Sequence, residues 1–349
     1  MICKDFSIPF NGDFALLKYA LSSGNVYEVY FSLYGGKQRN ANNYGASEKP
    51  ILNNSKQIKL LSSMASLYKT GLNLLINSPS LFFSDFEELK EKVMSIKGIN
   101  TITLSDPIAV KTFVKEFPNI DIQASFIMNL NSIEKIEQFS AMGGGTVVLP
   151  GIFLRDINKL EELKKLKERY PKLKVKMIAN LDCAQDCIYL PSHYLVGMFR
   201  GFDIQPGNIY NDQPCYRSVS PADFVKIPFI RPEDLDFYRK NGFVDYFKLI
   251  YRSSPTAMLE KVYNAYFSGE YGGNLFDIIP THCDDYECAR DIDMKVNLKM
   301  DIPEYFCDNR KFPADFIEKV TSCGRKCHQC DYCMEIAKKT NTVTSNIKC

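Results

Sequence analysis

The chain has 349 residues, 45% hydrophobic and 24% charged, an ordinary globular composition long enough for two domains or one large barrel with an appendage. Forty-three basic against 41 acidic residues leave +2, so no basic field points to DNA, although a neutral enzyme can still carry a local RNA groove. Met1-Ile2-Cys3-Lys4-Asp5 opens no signal peptide and no apolar run nears the ~18 residues that span a bilayer, which predicts a cytoplasmic protein with no membrane partner.

In chain order, short β-branched runs predict strands at Phe6–Pro9, Tyr27–Leu33, Leu72–Asn77, Thr101–Leu104, Asp121–Met128, Thr146–Leu149, Lys174–Ala179 and Asp245–Ile250. Between them, 3.6-residue periodicity predicts helices such as Ser84–Ile96, Ser132–Met142 and Ile157–Tyr170. Eight alternating strands and helices predict a (β/α)8 TIM-barrel-like domain over 1–280, with an insertion at about 181–243; a doubly wound open sheet is the rival. Gly143-Gly144-Gly145 precedes a strand rather than following one, so it reads as a helix stop and not a phosphate loop. The charged run Lys159–Lys176 reads as a solvated helix face. From Pro280 the rhythm stops, which predicts a small Cys-rich C-terminal module over 281–349.

Twelve cysteines are the unusual count, and eleven fall between Cys183 and Cys349. In a long chain without a signal they point to metal or catalysis rather than disulfides. Cys323, Cys327, Cys330 and Cys333 are packed closely enough to hold a cubane 4Fe–4S cluster or one zinc. His328 lies inside that run and reads as an exposed spacer. Cys183 and Cys187 follow the seventh predicted strand directly, where barrel enzymes place their chemistry. Cys215 and Cys283 come later and extend this second group of candidate ligands. Cys288, Cys307 and Cys349 are read as structural.

The stretch from Lys174 through the 280s resembles the peptidase U32 family. The residues that carry the resemblance are Met177-Ile178-Ala179-Asn180-Leu181-Asp182-Cys183 with Cys187, then Cys215, then Ile227-Pro228-Phe229-Ile230-Arg231-Pro232-Glu233-Asp234-Leu235. They continue into Asp245–Arg252 and Tyr271-Gly272-Gly273-Asn274-Leu275, with a weaker likeness from Phe6 to Gly151. The resemblance implies a TIM-like barrel that binds an oxygen-sensitive 4Fe–4S cluster at its mouth. It also implies oxygen-independent hydroxylation of RNA or a quinone ring, with prephenate as a proposed oxygen donor, rather than proteolysis. Carried onto this chain, the barrel ligands would be Cys183, Cys187 and Cys215, with Cys283 as the fourth candidate. With the C-terminal group, this implies two clusters, the second serving electron transfer or the lid.

A dicarboxylate substrate would need permanently charged donors, for which Arg252 and Arg217 are candidates, while Arg231 before Pro232 reads as structural. His193 could act as ligand, acid–base group or plain loop histidine. Asn77, Ser105, Asn129 and Asn180 end strands and could line a pocket or simply make turns. Three histidines without a His-Glu-x-x-His or Gly-x-Ser-x-Gly motif give little support to a hydrolase. The expected partners are a small-molecule or RNA substrate and an electron donor or partner enzyme. Two alternatives stand beside the redox enzyme: a sulfur transferase with an open iron, and a zinc-stabilised partner-binding protein.

Overall fold

The computed structural model describes residues 4–33, 55–77, 86–190, 221–252, 254–279 and 304–344. Eight parallel strands close into a barrel in sequence order: β1 Phe6–Pro9, β2 Val26–Phe31, β3 Gly71–Ile76, β4 Ile99–Leu104, β5 Asp121–Ala124, β6 Thr146–Val148, β7 Lys174–Ile178 and β8 Tyr246–Lys248. The closing pair matches Phe6 to Phe247 and Ser7 to Lys248, which excludes the open-sheet rival. Around the barrel run α1 Phe14–Ser22, α2 Ser55–Leu67, α3 Phe86–Ser95, α4 Val110–Glu116, α5 Ile133–Ala141, α6 Gly151–Leu154, α7 Ile157–Arg169, α8 Pro221–Lys226, α9 Leu235–Lys240 and α10 Thr256–Ser268. This is the (β/α)8 fold that the alternation predicts. Among the described residues, no helix is long and apolar enough to cross a membrane.

Local chemistry sets the boundaries. Asp13, Ser132 and Asp156 each accept a backbone N–H of the first helical turn and so start α1, α5 and α7. In α7, Leu160, Leu163 and Leu166 are buried while the lysines and glutamates between them face outward, which is the solvated face expected of this run. Lys176 is the exception: it belongs to β7, not the helix, and is buried. The predicted fifth strand also ends early, because Ser125 caps a 3-10 turn over Phe126–Met128 and Asn129 turns left-handed at φ 51°. The three glycines are a stop, as expected: Gly143 has φ +96°, and a Cβ on Gly144 would fall 2.2 Å from the Phe139 ring.

The described C-terminal segment is an antiparallel pair, β9 Glu304–Cys307 and β10 Asn341–Thr344, with α11 Phe316–Ser322 and α12 Tyr332–Thr340 between them. It packs on the barrel through aromatic side chains. Phe316 is fully buried and lies 6.4 Å from the Phe229 ring and 4.8 Å from Phe312. Arg155, which follows α6, sits over the Phe229 and Phe316 rings at 4.9 and 5.3 Å and donates to the carbonyls of Val225 and Phe229.

Candidate active site at the barrel mouth

Mid-strand polar residues from six strands meet inside the barrel. Lys176 Nζ of β7 donates to Glu28 Oε1 of β2 and Gln123 Oε1 of β5, both at 2.6 Å. Ser7 of β1 and Asn73 of β3 donate to the same glutamate oxygen at 2.6 and 2.8 Å, and Thr101 of β4 reaches its other oxygen at 3.4 Å. Thr103 and Gln123 complete the layer through Asn73 and Thr103. Burial alone would raise the Glu28 pKa, but the Lys176 charge and these donors overcome it and hold the carboxyl below its ordinary range. Toward the N-terminal ends of the strands, stacked Tyr27 and Tyr246 rings, 3.7 Å apart, lie beside Lys176.

The C-terminal ends of the strands carry a different set. Lys248 ends β8, is 6% exposed, and holds its Nζ 4.3 Å from the centre of the Tyr30 ring. Burial, with the nearby charges of Lys176 and Arg252, pushes its amine down to about 7. Tyr30 is fixed by a 2.8 Å hydrogen bond from its hydroxyl to the Leu249 carbonyl. Arg252, half-buried, donates Nη1 to the Ser32 hydroxyl just past β2. Ser105 Oγ donates to Asn77 Oδ1 at 3.0 Å, joining the ends of β3 and β4. Asn180 is spent on the backbone: its Oδ1 accepts from Ile250 N and its amide donates to the Ile278 carbonyl, so it is a clamp between β7 and β8.

Cys183 and Cys187 are half-buried against the core just beyond β7. Between them, the Nε2 of Gln185 is buried without a hydrogen-bond partner. The Gln185 backbone packs on the first residue of α6, where a Cβ on Gly151 would lie 3.3 Å from its carbonyl oxygen. At the other end of that single helical turn stands Arg155, close enough to feel the charges of Cys333 and Cys323. Cys323, Cys327 and Cys330 are exposed and Cys333 is half-buried; burial pushes the Cys333 thiol up, opposed by the Arg155 charge and reinforced by the three neighbouring thiols. Arg155 Nε and the Tyr332 hydroxyl, next to Cys333, are also buried donors without a partner. Among the described residues, no three His, Cys, Asp or Glu side chains converge as a metal-binding group. The donor chemistry nevertheless suits a thiophilic centre: soft thiols, cations beside them, and N–H or O–H groups lacking an acceptor.

His193, Arg217, Cys215, Cys283, Cys288 and Cys349 lie outside the described residues. His328 is exposed, and Cys307 is fully buried with its thiol pushed up to about 12 by that burial. Arg231 forms a bidentate, buried pair with Asp234 at 2.8 and 2.7 Å under the Phe312 ring, a structural role. Sequence reasoning missed Glu28, Lys176, Gln123, Lys248 and Arg155. The first four share one signal: a polar residue inside an apolar alternating strand, which in a closed barrel faces inward.

No family model matches the chain. It is 27% identical over 249 residues to the uncharacterized protease MJ1657 of Methanocaldococcus jannaschii, covering 69% of this chain and 66% of that protein's length. Among solved structures, the U32 peptidase Mk0906 aligns with a TM-score of 0.49 at 9% identity, over 72% of this chain and 94% of its own. The chain is similar to U32 peptidases. A GH113 beta-1,4-mannanase aligns over 76% of the chain and 99% of its own with a TM-score of 0.42 at 9% identity. The Asp245–Arg252 block contains both mouth cations, Lys248 and Arg252.

Proposed function

We propose that this U32-like barrel is an iron–sulfur enzyme for oxygen-independent redox modification, hydroxylation above all, of RNA or a small aromatic molecule. Cys183 and Cys187, with Cys215 and Cys283, would hold a 4Fe–4S cluster at the mouth; Cys323, Cys327, Cys330 and Cys333 would hold a second. Bound there, the clusters would supply one-electron chemistry and, where an iron is open, Lewis acidity.

One observation carries the reading. Among the described residues, the buried side-chain donors without a partner include Gln185 Nε2 in one cysteine group and Arg155 Nε and Tyr332 Oη beside the other. A buried unpaired donor costs about 1–3 kcal/mol, so three such donors beside thiols are accounted for if they donate to sulfur. Gln185 would orient and partly neutralise the mouth group, while Arg155 offsets the negative charge of the C-terminal thiolates. The α6 turn joins the two groups with only about 6 Å of helix. Arg252 and Lys248 at the same mouth favour an anionic small molecule as one reactant.

The test is iron, acid-labile sulfide and zinc per chain on anaerobically purified full-length protein. About eight irons per chain are expected from two cubanes, with Cys183→Ala and Cys330→Ala each removing about half. Zinc without iron would overturn the redox reading and leave a zinc-stabilised binding protein.

A further inference from the structure

Lys248 differs from its neighbour Lys176 in what meets its amine. Lys176 has two acceptors, Glu28 and Gln123, whereas Lys248 has no hydrogen-bond acceptor and no ion-pair partner among the described residues; Glu28 acts on it only through its charge, and its amine lies against the face of Tyr30. Arg252 is in a similar position. Its guanidinium donates to a neutral hydroxyl, Ser32, and no carboxylate among the described residues faces it. Both cations stand at the C-terminal ends of adjoining parts of the barrel, where ligands of this fold bind. They are near enough for the Arg252 charge to act on Lys248. Two desolvated cations without an anion between them are costly unless a ligand supplies one.

We infer that Lys248, Tyr30, Ser32 and Arg252 form a binding site for a small carboxylate-bearing carbonyl compound, an α-keto acid, whose carbonyl carbon is attacked by the Lys248 amine. Arg252 and the Ser32 hydroxyl take the carboxylate, the geometry for which a guanidinium fork is suited. The Tyr30 ring, held by its bond to the Leu249 carbonyl, is the wall that keeps the amine in place. The nitrogen lone pair forms the new C–N bond. The carbonyl oxygen takes one proton from the amine and one from solvent and departs as water, leaving a protonated C=N bond. No oxidant or reductant is needed. A desolvated lysine is the usual way to keep an amine nucleophilic at neutral pH, and the lowered proton affinity of Lys248 is in accord with that. The groups facing it are Lys176, Glu28, Arg252 and Tyr30, of which only Glu28 opposes the shift. The chemistry uses only the Lys248 amine and the carboxylate donors, so its outcome is read separately from the iron content.

The experiment uses the full chain at neutral pH with pyruvate and sodium cyanoborohydride, followed by proteolysis and mass mapping. The expected result is a reduced pyruvate adduct on Lys248 well ahead of exposed Lys165, with acetone, which lacks a carboxylate, labelling the same amine more slowly. Arg252→Gln should slow pyruvate labelling by about tenfold or more relative to acetone labelling of the same variant, the worth of a charged hydrogen bond, since loss of the Arg252 charge alters the amine equally for both ketones. Retained acetone labelling also shows that the variant is folded. Labelling of Lys248 no faster than Lys165 overturns the nucleophile. Equal rates for pyruvate and acetone, or an Arg252→Gln variant that takes pyruvate like the wild type, overturn the carboxylate site.

Discussion

A lysine that ends a barrel strand with its amine against a tyrosine ring resists protonation, and Lys248 carries that cost into the stability of the whole chain. Its folded pKa, about 7, lies below the 10.5 of an ordinary lysine. The unfolded chain therefore binds more protons between those values, and stability rises with pH across that window. At and below pH 7 the full penalty is present. Lys248→Met should stabilise the protein there by on the order of 1–4 kcal/mol. Urea unfolding from pH 6 to 10 checks this: the difference from wild type should shrink as pH rises. The Glu28–Lys176 pair has the opposite sign. Glu28 is held below its unfolded value, so its contribution is present above the unfolded pKa and lost as pH falls through the folded one. Glu28→Gln, which strands the Lys176 charge, should cost about 3–5 kcal/mol at pH 7, and adding Lys176→Met should recover part of it. Equal loss in single and double variants would argue that the pair itself is strongly stabilising.

At the level of elements, the α5–β6 joint shows how little tolerance the barrel has between a helix and the next strand. Gly145 precedes β6, and a Cβ there would fall 2.0 Å from Asp121 Oδ1, the carboxylate that accepts the Thr146 hydroxyl. Gly145→Ala should therefore displace that contact and cost about 1–3 kcal/mol, as overpacking does, measured by thermal or urea unfolding. The same joint was legible beforehand, because three glycines between a helical run and a β-branched run demand a stop. The strand after β5's start was not: Asp121–Met128 has β character throughout, yet Ser125 captures the Ile127 N–H and turns the chain after Ala124. A side-chain cap of this kind competes locally with strand extension, and composition does not reveal which one prevails.

At the scale of the whole molecule, Phe316 decides whether the C-terminal segment is an appendage or part of the core. Its ring is fully buried among Phe229, Phe312, Arg155 and Arg231. Asn309 adds hydrogen bonds to Glu233 and the Tyr271 carbonyl. Shared burial couples the two parts, so Phe316→Ala should cost about 3–5 kcal/mol. Far-UV circular dichroism and aromatic fluorescence should then still report one shared, earlier transition. Two separate transitions would mean that the segment unfolds by itself. The Arg155 guanidinium links this same core to the cysteine run, so the variant also tests whether the thiol group depends on the packed barrel.

The sequence by itself determined the eight parallel strands and their helical crossovers, because apolar runs alternating with 3.6-period helices demand them, whereas closure of β1 on β8 was decided only by the tertiary structure. The sequence also marked the two cysteine groups, since spacing along the chain is local information, and it offered Arg252, beside the last strand, as a candidate donor for a carboxylate. Only the tertiary structure decided that Lys176, at the end of a charged run, turns inward to Glu28 from a strand 148 residues away in sequence. It likewise decided that Asn180 clamps backbone, that Lys248 meets no acceptor among the described residues, and that Arg155 and Gln185 bring unpaired donors to the thiols. Each of these depends on which residues from distant strands share one enclosed space, and therefore on which polar groups find partners after water has been removed.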